Sequence, residues 1–120
     1  MIKVYGIPNC DTVKKAMAWL KENNVAFEFH NFKKEGITIK KLKAWLKSSS
    51  LEKVLNKKSI AYKNLTADEK QHASIKMDAL KLMQVNTNLI KRPVIEIAGT
   101  ILNGFNKDKF QKIFGKNNGF

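Results

Sequence analysis

The sequence predicts an α/β fold in which parallel and antiparallel strands share one four-stranded sheet, with a helical segment inserted between its two halves. Three observations predict it. The first 30 residues read as β-α-β, a stretch of helical periodicity follows, and the chain then reads β-β-α. A helical crossover suits a parallel pair of strands, whereas a tight turn joins antiparallel ones. With 120 residues, one domain spanning 1–120 is expected.

The first β-α-β unit opens with a β-rich run at residues 2–5 and a turn signal at 6–9. The following helix is expected to end at Asn23 and Asn24, because asparagine tolerates the left-handed conformation. Residues 25–30 alternate like a strand. The apolar face of the helix consists of Val13, Ala16, Met17 and Leu20.

Residues 38–85 are predicted to form an all-helical insertion. Thr38 is expected to cap its first helix, which extends to residue 47. Thr66 and Glu69 have the spacing of a capping box. The inward-facing residues of the first helix are Ile39, Leu42, Trp45 and Leu46, and those of the last are Ile75, Ala79, Leu82 and Met83.

The last part of the chain reads as two strands, at 94–97 and 100–102, joined by Ala98 and Gly99 in a hairpin. Asn106 is expected to cap a final helix that Gly115 terminates, followed by a loose tail at 117–119. That helix is expected to bury Phe110, Ile113 and Phe114. Together these elements describe a thioredoxin-like sheet with a helical insertion.

Composition limits the classes of partner. The net charge of +13, from 23 basic and 10 acidic residues, favours acidic partners. However, 22 of the basic residues are lysines spread along the whole chain, as on an ordinary solvated surface. No aromatic-basic signature or helix-turn-helix pattern is present, which disfavours nucleic acid as the partner. No apolar run reaches the roughly 18 residues that span a membrane. A monomer is expected.

Cysteine and histidine usage argues against a metal site. One cysteine excludes a multi-cysteine zinc site and an internal disulfide, and a reduced thiol in the cytoplasm is expected. His30 and His72 have no partners with ligand spacing in the sequence. We therefore predict no bound metal.

Cys10 is the focal candidate for chemistry. It lies where the first strand gives way to a helix, so that free backbone N–H groups and the helix dipole favour its thiolate, the nucleophilic form. A lone cysteine is more often a small buried hydrophobe. Here Asn9 and Asp11 are polar and the apolar stripe begins only at Val13, although the Asp11 carboxylate opposes the thiolate.

Arg92 is the second candidate, as the only arginine in the chain. Its planar fork of donors suits an oxyanion or a carboxylate, which a lysine would serve less well. It precedes Pro93 in an extended segment that enters a strand. The alternative is a surface arginine with no partner.

In combination, these motifs resemble the arsenate reductase (ArsC) family, and most closely its YffB/Spx-like branch, over nearly the full chain. The segments that carry the resemblance are 4–16, 55–65, 90–93 and 104–106. The resemblance implies a thioredoxin-like fold with a helical insertion and a nucleophilic Cys10. It also implies that Arg92, before a cis Pro93, binds the anion, with Thr12 in the loop that cradles it. Glutathione or a glutaredoxin would supply the reducing thiol, and no bound cofactor is implied.

Three departures from the family pattern bear on function. Gly6 stands where the glutathione-coupled arsenate reductases have a histidine. Of their three anion-binding arginines only Arg92 is present, since Asn56 and the Gly104–Phe105 region occupy the other two places, although Asn56 matches the YffB branch. Val13 replaces the second cysteine of the Spx redox switch, which excludes an intramolecular switch.

Three hypotheses follow. The first is a glutathione-dependent thiol reductase, in which Cys10 attacks a mixed disulfide and an external thiol releases it. The second is an arsenate reductase coupled to glutathione and glutaredoxin, with a small anion as substrate. The third is a non-enzymatic, Spx-like regulator that binds RNA polymerase. In the first two, the residues expected to bind the anion or glutathione are Arg92, Pro93, Thr12, Asn9 and Asn56.

Overall fold

A computed structural model describes residues 2–115 and confirms the mixed four-stranded sheet. The strands are β1 Ile2–Gly6, β2 Phe27–Asn31, β3 Val94–Ile97 and β4 Thr100–Asn103. They lie in the order β2-β1-β3-β4, with β1 parallel to β2 and both remaining pairs antiparallel. The tail predicted at 117–119 lies outside the described residues.

Eight helices surround the sheet within residues 2–115. They are α1 Asp11–Glu22, α2 Phe32–Glu35, α3 Ile39–Ser48, α4 Leu51–Val54, α5 Ile60–Lys63, α6 Ala67–His72, α7 Lys76–Val85 and α8 Lys107–Phe114, with a 3₁₀ turn at Thr87–Leu89. The predicted helical insertion corresponds to α3 through α7. Among the described helices, none combines the length and the apolar character that a membrane crossing requires.

Predicted caps and turns are confirmed. Thr38 accepts a hydrogen bond from a backbone amide at 3.1 Å. The capping box is complete, because the Glu69 amide donates to Thr66 Oγ1 at 3.1 Å and the Thr66 amide donates to Glu69 Oε1 at 2.8 Å. The β3–β4 hairpin turns through Ala98 and Gly99, with φ of 47° and 82°. Each of these features needs only neighbouring residues, which explains why the sequence predicts them well.

The two faces of the sheet carry separate apolar clusters. Because side chains alternate along a strand, Tyr5 points to one face and Val4 to the other. The Tyr5 cluster lies under the helical insertion and includes Leu42, Trp45, Val54, Leu80, Met83 and Leu89. The Val4 cluster lies under α1 and α8 and includes Ala16, Trp19, Leu20, Phe110 and Phe114. Cys10 packs against the Tyr5 cluster, so the helical insertion covers the face that carries the thiol.

The structure corrects four details of the sequence prediction. Ile75 is 54% exposed because it precedes α7 in extended conformation and so lies off the apolar face. Ile113 is 37% exposed, since α8 packs through Phe110 and Phe114 and the residue before Phe114 turns away by about 100°. Strand β2 begins at Phe27 rather than at residue 25. Helix α2 was not predicted, because its four residues are too few to show a period.

Gly6 marks a close approach between β1 and α1. A Cβ atom at this position would lie 2.7 Å from Val13 Cγ2, well inside van der Waals contact. We expect Gly6→Ala to lower the free energy of unfolding by about 1–3 kcal/mol, because the buried strand and helix must separate to admit a methyl group. Urea denaturation of the variant measures the change.

The matched control for this substitution is the same change in a Val13→Ala background, where the colliding methyl groups are absent. In the Val13→Ala background, Gly6→Ala is expected to lower the free energy of unfolding much less. An equal cost in both backgrounds would show that the collision with Val13 is not the cause.

Candidate functional site

Cys10 occupies the N-cap position of α1, directly after the loop that leaves β1. Its backbone is extended, with φ −140° and ψ 121°, and its carbonyl accepts the first helical hydrogen bond, from the Lys14 amide at 2.9 Å. The thiol is free and half-buried, and no side chain caps the start of the helix. The first-turn amides, including that of Thr12, are therefore directed at the space around the sulfur without a side-chain acceptor. This is the placement predicted from the sequence.

The pairing of β1 with β3 brings Arg92 and Pro93 to the same end of the sheet as Cys10. Tyr5 in β1 lies opposite Val94 in β3. The chain runs from Tyr5 onward toward Cys10, and it enters Val94 from Arg92 and Pro93. Two segments 82 positions apart in sequence therefore meet where β1 ends and β3 begins. The Arg92–Pro93 peptide bond is cis, as the family resemblance implies.

Arg92 lines a polar groove between the sheet end and the helical insertion. The groove has a volume of about 730 Å³, and Asn56, Asn64, Asn86 and Asn88 contribute to its walls. Arg92 Nη1 donates to Asn88 Oδ1 at 2.6 Å, which orients the guanidinium along the groove. The structure thus brings Arg92 and Asn56 into one groove, as expected if both bind the same ligand.

Asn56 is held beside Arg92 by backbone pairing. Its amide donates to the Leu89 carbonyl at 2.8 Å, and the Lys91 amide donates to the Val54 carbonyl at 2.8 Å. These bonds tie the end of α4 to the segment that precedes Arg92. The position of Asn56 therefore follows from the insertion closing back onto the sheet.

The other predicted binding residues lie outside that groove. Asn9 is exposed in the loop before Cys10, and Thr12 is half-buried in the first turn of α1. Neither these two nor Cys10 and Pro93 line the groove of Arg92. The structure therefore forms two groups at one end of the sheet, a thiol group on α1 and a polar groove beside it.

Asn88 was missed by sequence reasoning, although it contacts Arg92. It lies in the 3₁₀ turn Thr87–Leu89, and its amide donates to Asn86 Oδ1 at 3.1 Å. A signal was present, because Asn86 and Asn88 have the spacing of an Asx turn four residues before the only arginine.

A partly buried carboxylate on β3 was also missed. Glu96 on β3 accepts hydrogen bonds from Tyr5 Oη at 2.9 Å and from Trp45 Nε1 at 2.8 Å, and Lys41 Nζ lies 3.1 Å away. Partial burial disfavours the charged carboxylate, but the three donors outweigh it and hold the pKa of Glu96 below its usual value of 4.5. Burial first, and then the bond to Glu96, raise the pKa of Tyr5 above its usual 10.0. From the sequence, Glu96 reads only as the polar member of an alternating strand.

The lowered pKa of Glu96 predicts a pH-dependent stability. Its ionised form stabilises the fold above the unfolded-state value near 4.5, and this contribution is lost as the pH falls through the lower folded-state pKa. We expect Glu96→Gln to lower the free energy of unfolding at pH 7 by about 1–2 kcal/mol, because charged acceptors form stronger hydrogen bonds. Chemical denaturation at pH 7 and below pH 4.5 measures both values.

The difference in unfolding free energy between wild type and Glu96→Gln should narrow as the pH falls from 4.5 through the lower folded-state pKa of Glu96, because the wild-type carboxyl then also becomes neutral. A difference that stays constant across this range would show that the charge of Glu96 contributes nothing. Because the pKa of Tyr5 is raised, the neutral Tyr5 hydroxyl contributes fully to the free energy of unfolding below pH 10. This contribution is lost as the pH rises through the higher folded-state pKa. Tyr5→Phe should remove that alkaline dependence.

The histidines have more partners than expected. His72 Nδ1 lies 3.0 Å from Asp78 Oδ2, and its Nε2 lies 3.6 Å from Asp68 Oδ2. The bond to Asp78 and the charge of Asp68 raise the pKa of His72. The two carboxylates contact opposite nitrogens of the ring and so do not converge on one point. Within residues 2–115, no cluster of three histidine, cysteine or carboxylate side chains is arranged to hold a metal ion.

Comparison with known proteins gives the family. The model of the ArsC family matches residues 5–113. A solved structure of a protein named YffB superimposes with a TM-score of 0.87 at 36% identity, covering 93% of this chain and 97% of that one. An uncharacterized protein of Haemophilus influenzae is 39% identical over 95% of this chain and 99% of its own length. The global transcriptional regulator Spx of Enterococcus faecalis is 29% identical over 93% of this chain and 85% of its own length.

Proposed function

This chain belongs to the ArsC family, and we propose that it is a glutathione-dependent thiol reductase that acts on mixed disulfides. The observation that carries the proposal is the placement of Cys10. Its thiol is free, half-buried and at the uncapped N-terminus of a 12-residue helix, at the sheet end that also presents Arg92. A free, partly exposed thiol at this position is accessible to a second sulfur. The reaction would take place in the cytoplasm, where thiols are kept reduced.

The proposed reaction has two exchange steps. The Cys10 thiolate attacks the glutathione sulfur of a mixed disulfide, forms a Cys10–glutathione disulfide, and releases the substrate thiolate, which takes up a proton. A second glutathione thiolate then attacks the glutathione sulfur of this intermediate, which yields oxidised glutathione and restores the Cys10 thiolate. Because the chain has one cysteine, the second thiol must come from outside. Arg92 binds a carboxylate of glutathione.

Arsenate reduction fits this site less well. Arsenate carries its charge on several oxygens, and Arg92 is the only arginine available to bind them. Asn56, in the same groove, is a neutral amide. We therefore place a carboxylate ligand ahead of an inorganic oxyanion.

The similarity to Spx favours a second candidate, a regulator that docks on RNA polymerase. The net charge of +13 is compatible with an acidic partner surface. Val13 in place of a second cysteine leaves such a regulator without an internal disulfide. Co-purification with RNA polymerase that is unaffected by Cys10→Ser would support this candidate.

The reductase proposal is tested by turnover and by trapping. The protein is incubated with a glutathionylated peptide and reduced glutathione, and oxidised glutathione is followed by coupled NADPH oxidation with glutathione reductase. Intact mass spectrometry without added glutathione should show one glutathione on Cys10. Parallel reactions replace the peptide by arsenate and detect arsenite.

Turnover of the mixed disulfide together with the Cys10 adduct would support the proposal. Arsenite release without mixed-disulfide turnover would replace it with the arsenate reductase hypothesis. Absence of both activities and of the adduct would overturn it and favour the regulator.

A further inference from the structure

A second groove runs along the free edge of the sheet. Strand β4 is the last strand of the sheet within residues 2–115, and its four residues form one wall. The opposite wall consists of the end of α3 and the start of α4, and Lys53 of α4 is part of it. Lys91 and Lys109 complete the lining of a space of about 400 Å³.

This space continues into a neighbouring groove of about 460 Å³ that shares Glu52 and Lys91 with it. We call the two together the basic groove. Its charged lining residues are Lys53, Lys57, Lys58, Lys91, Lys109 and Glu52. Among the described residues, none of these five lysines forms an ion pair. Five free cations therefore face one carboxylate.

The excess of positive charge is specific to this place rather than a uniform property of the surface. The groove beside Trp45 contains one cation and one anion, Lys41 and Glu96, which pair with each other at 3.1 Å. The groove between α6 and α7 contains two further carboxylates, Glu69 and Asp78, and one lysine. Compared with these two clefts, the basic groove has the larger excess of cations, five lysines against one carboxylate.

The wall formed by β4 offers a backbone template. One side of β4 pairs with β3, from Thr100 opposite Ile97 to Asn103 opposite Val94. No backbone hydrogen bond from the described residues reaches the outer side of β4. An exposed strand edge is a site where an extended polypeptide can add as a further strand.

The basic groove ends at the candidate functional site. Asn103, the last residue of β4, donates from Nδ2 to the Lys91 carbonyl at 3.2 Å. Lys91 lines the basic groove, and its neighbour Arg92 lines the polar groove described above. A polypeptide segment bound along β4 would therefore extend toward the end of the sheet where Cys10 lies.

We propose that the basic groove docks an extended, acidic polypeptide segment that pairs with the free edge of β4. This inference rests on the proposed function, because it makes the substrate class a protein mixed disulfide with acidic residues near the modified cysteine. The lysines supply charge complementarity and the strand edge supplies main-chain hydrogen bonds. Nucleic acid is disfavoured as the occupant, because no aromatic side chain lines the groove for bases to stack on.

The test measures binding of a fluorescein-labelled peptide that alternates glutamate with β-branched residues and contains no cysteine. Because no thiol exchange is involved, the result does not depend on the reductase activity. The variant Lys53→Glu/Lys109→Glu reverses two charges that line the groove, one on α4 and one on α8. The control Lys33→Glu/Lys34→Glu makes the same net change on α2, which follows the opposite edge strand.

Anisotropy titration at low salt should show about tenfold weaker binding to the groove variant, and little change for the control, since each surface charge contributes modestly. A peptide with glutamine in place of glutamate should bind weakly to all three proteins. In hydrogen exchange, the peptide should slow exchange at residues 100–103. Unfolding curves establish that the groove variant is folded.

Equal losses in the groove variant and the control would show a nonspecific charge effect and overturn the proposal. Unchanged exchange at residues 100–103 would overturn the strand-addition geometry. A single-stranded oligonucleotide that binds tighter than the acidic peptide and loses affinity only in the groove variant would replace the polypeptide with nucleic acid. If the peptide binds the basic groove but mixed-disulfide turnover is absent, the reductase proposal fails and the docking proposal stands.

Discussion

Cys10→Ser is expected to reduce mixed-disulfide turnover to the rate of the uncatalysed exchange with glutathione. A serine hydroxyl is not ionised at neutral pH and does not exchange with a disulfide, so both proposed steps are lost. Cys10 is the only cysteine, and therefore no other thiol in the chain substitutes for it. The coupled NADPH assay on the glutathionylated peptide measures the effect.

The fold should tolerate this substitution, because Cys10 is only half-buried and its side chain makes no cap hydrogen bond. Serine is a preferred N-cap residue, so the unfolding free energy should be unchanged or slightly higher. Turnover that survives in a folded Cys10→Ser protein would contradict the assignment of Cys10 as the nucleophile.

Trp45→Ala is expected to lower the free energy of unfolding by about 3–5 kcal/mol, the largest loss we expect for one side chain. Trp45 is 2% exposed and belongs to the apolar cluster between the insertion and the sheet. Its ring packs edge-on against the Tyr5 ring, with the two ring centroids 4.9 Å apart. Its Nε1 donates a hydrogen bond to Glu96. The substitution leaves both a cavity and a carboxylate with one donor fewer. Urea or thermal denaturation measures the loss.

Trp45→Phe separates these two contributions, because it keeps an aromatic ring and removes only the indole N–H. Its cost should be clearly smaller than that of alanine. If phenylalanine and alanine were equally destabilising, the hydrogen bond to Glu96 rather than packing would hold the insertion on the sheet. If both were neutral, the insertion would not depend on this contact.

Local sequence signals predicted most of the fold. The Thr38 cap, the Thr66–Glu69 capping box and the Ala98–Gly99 turn each depend on residues within a few positions, and all three are confirmed. Exposure at helix edges was predicted less well. Ile113 fits the helical period of α8, yet the packing direction of the helix leaves it partly exposed. The side of α8 that faces inward is determined by its packing on the sheet, and the sequence of the helix alone does not specify it.

Contacts between distant segments were the hardest to predict. The sequence indicated Cys10 and Arg92 as separate candidates, and only the pairing of β1 with β3 places them at one sheet end. Glu96 is an example of a missed residue, since its donors Tyr5 and Trp45 lie 91 and 51 positions away. No spacing rule connects residues that far apart. The family resemblance rests on the order of the motifs along the chain, and it does not predict the hydrogen bonds of Glu96 with Tyr5 and Trp45.

Two of the departures from the family pattern are physically coupled. The space that a side chain at Gly6 would occupy is filled by the Val13 methyl groups. The family resemblance implies a histidine at the place of Gly6 in related arsenate reductases and the second cysteine of Spx at the place of Val13. A side chain at position 6 would therefore require a change at position 13.

The central claim is that Cys10 is a reactive thiol that acts together with Arg92 at one end of the sheet, and the rate of Cys10 alkylation tests it most directly. The rate of modification by iodoacetamide at pH 7 is measured for wild type, Arg92→Ala and, as a matched control, Lys34→Ala, with glutathione as the reference thiol. We predict that wild-type Cys10 reacts faster than glutathione. The rate should fall in Arg92→Ala and stay the same in Lys34→Ala. A wild-type rate no higher than that of glutathione, or a rate that does not respond to Arg92→Ala, would contradict the account.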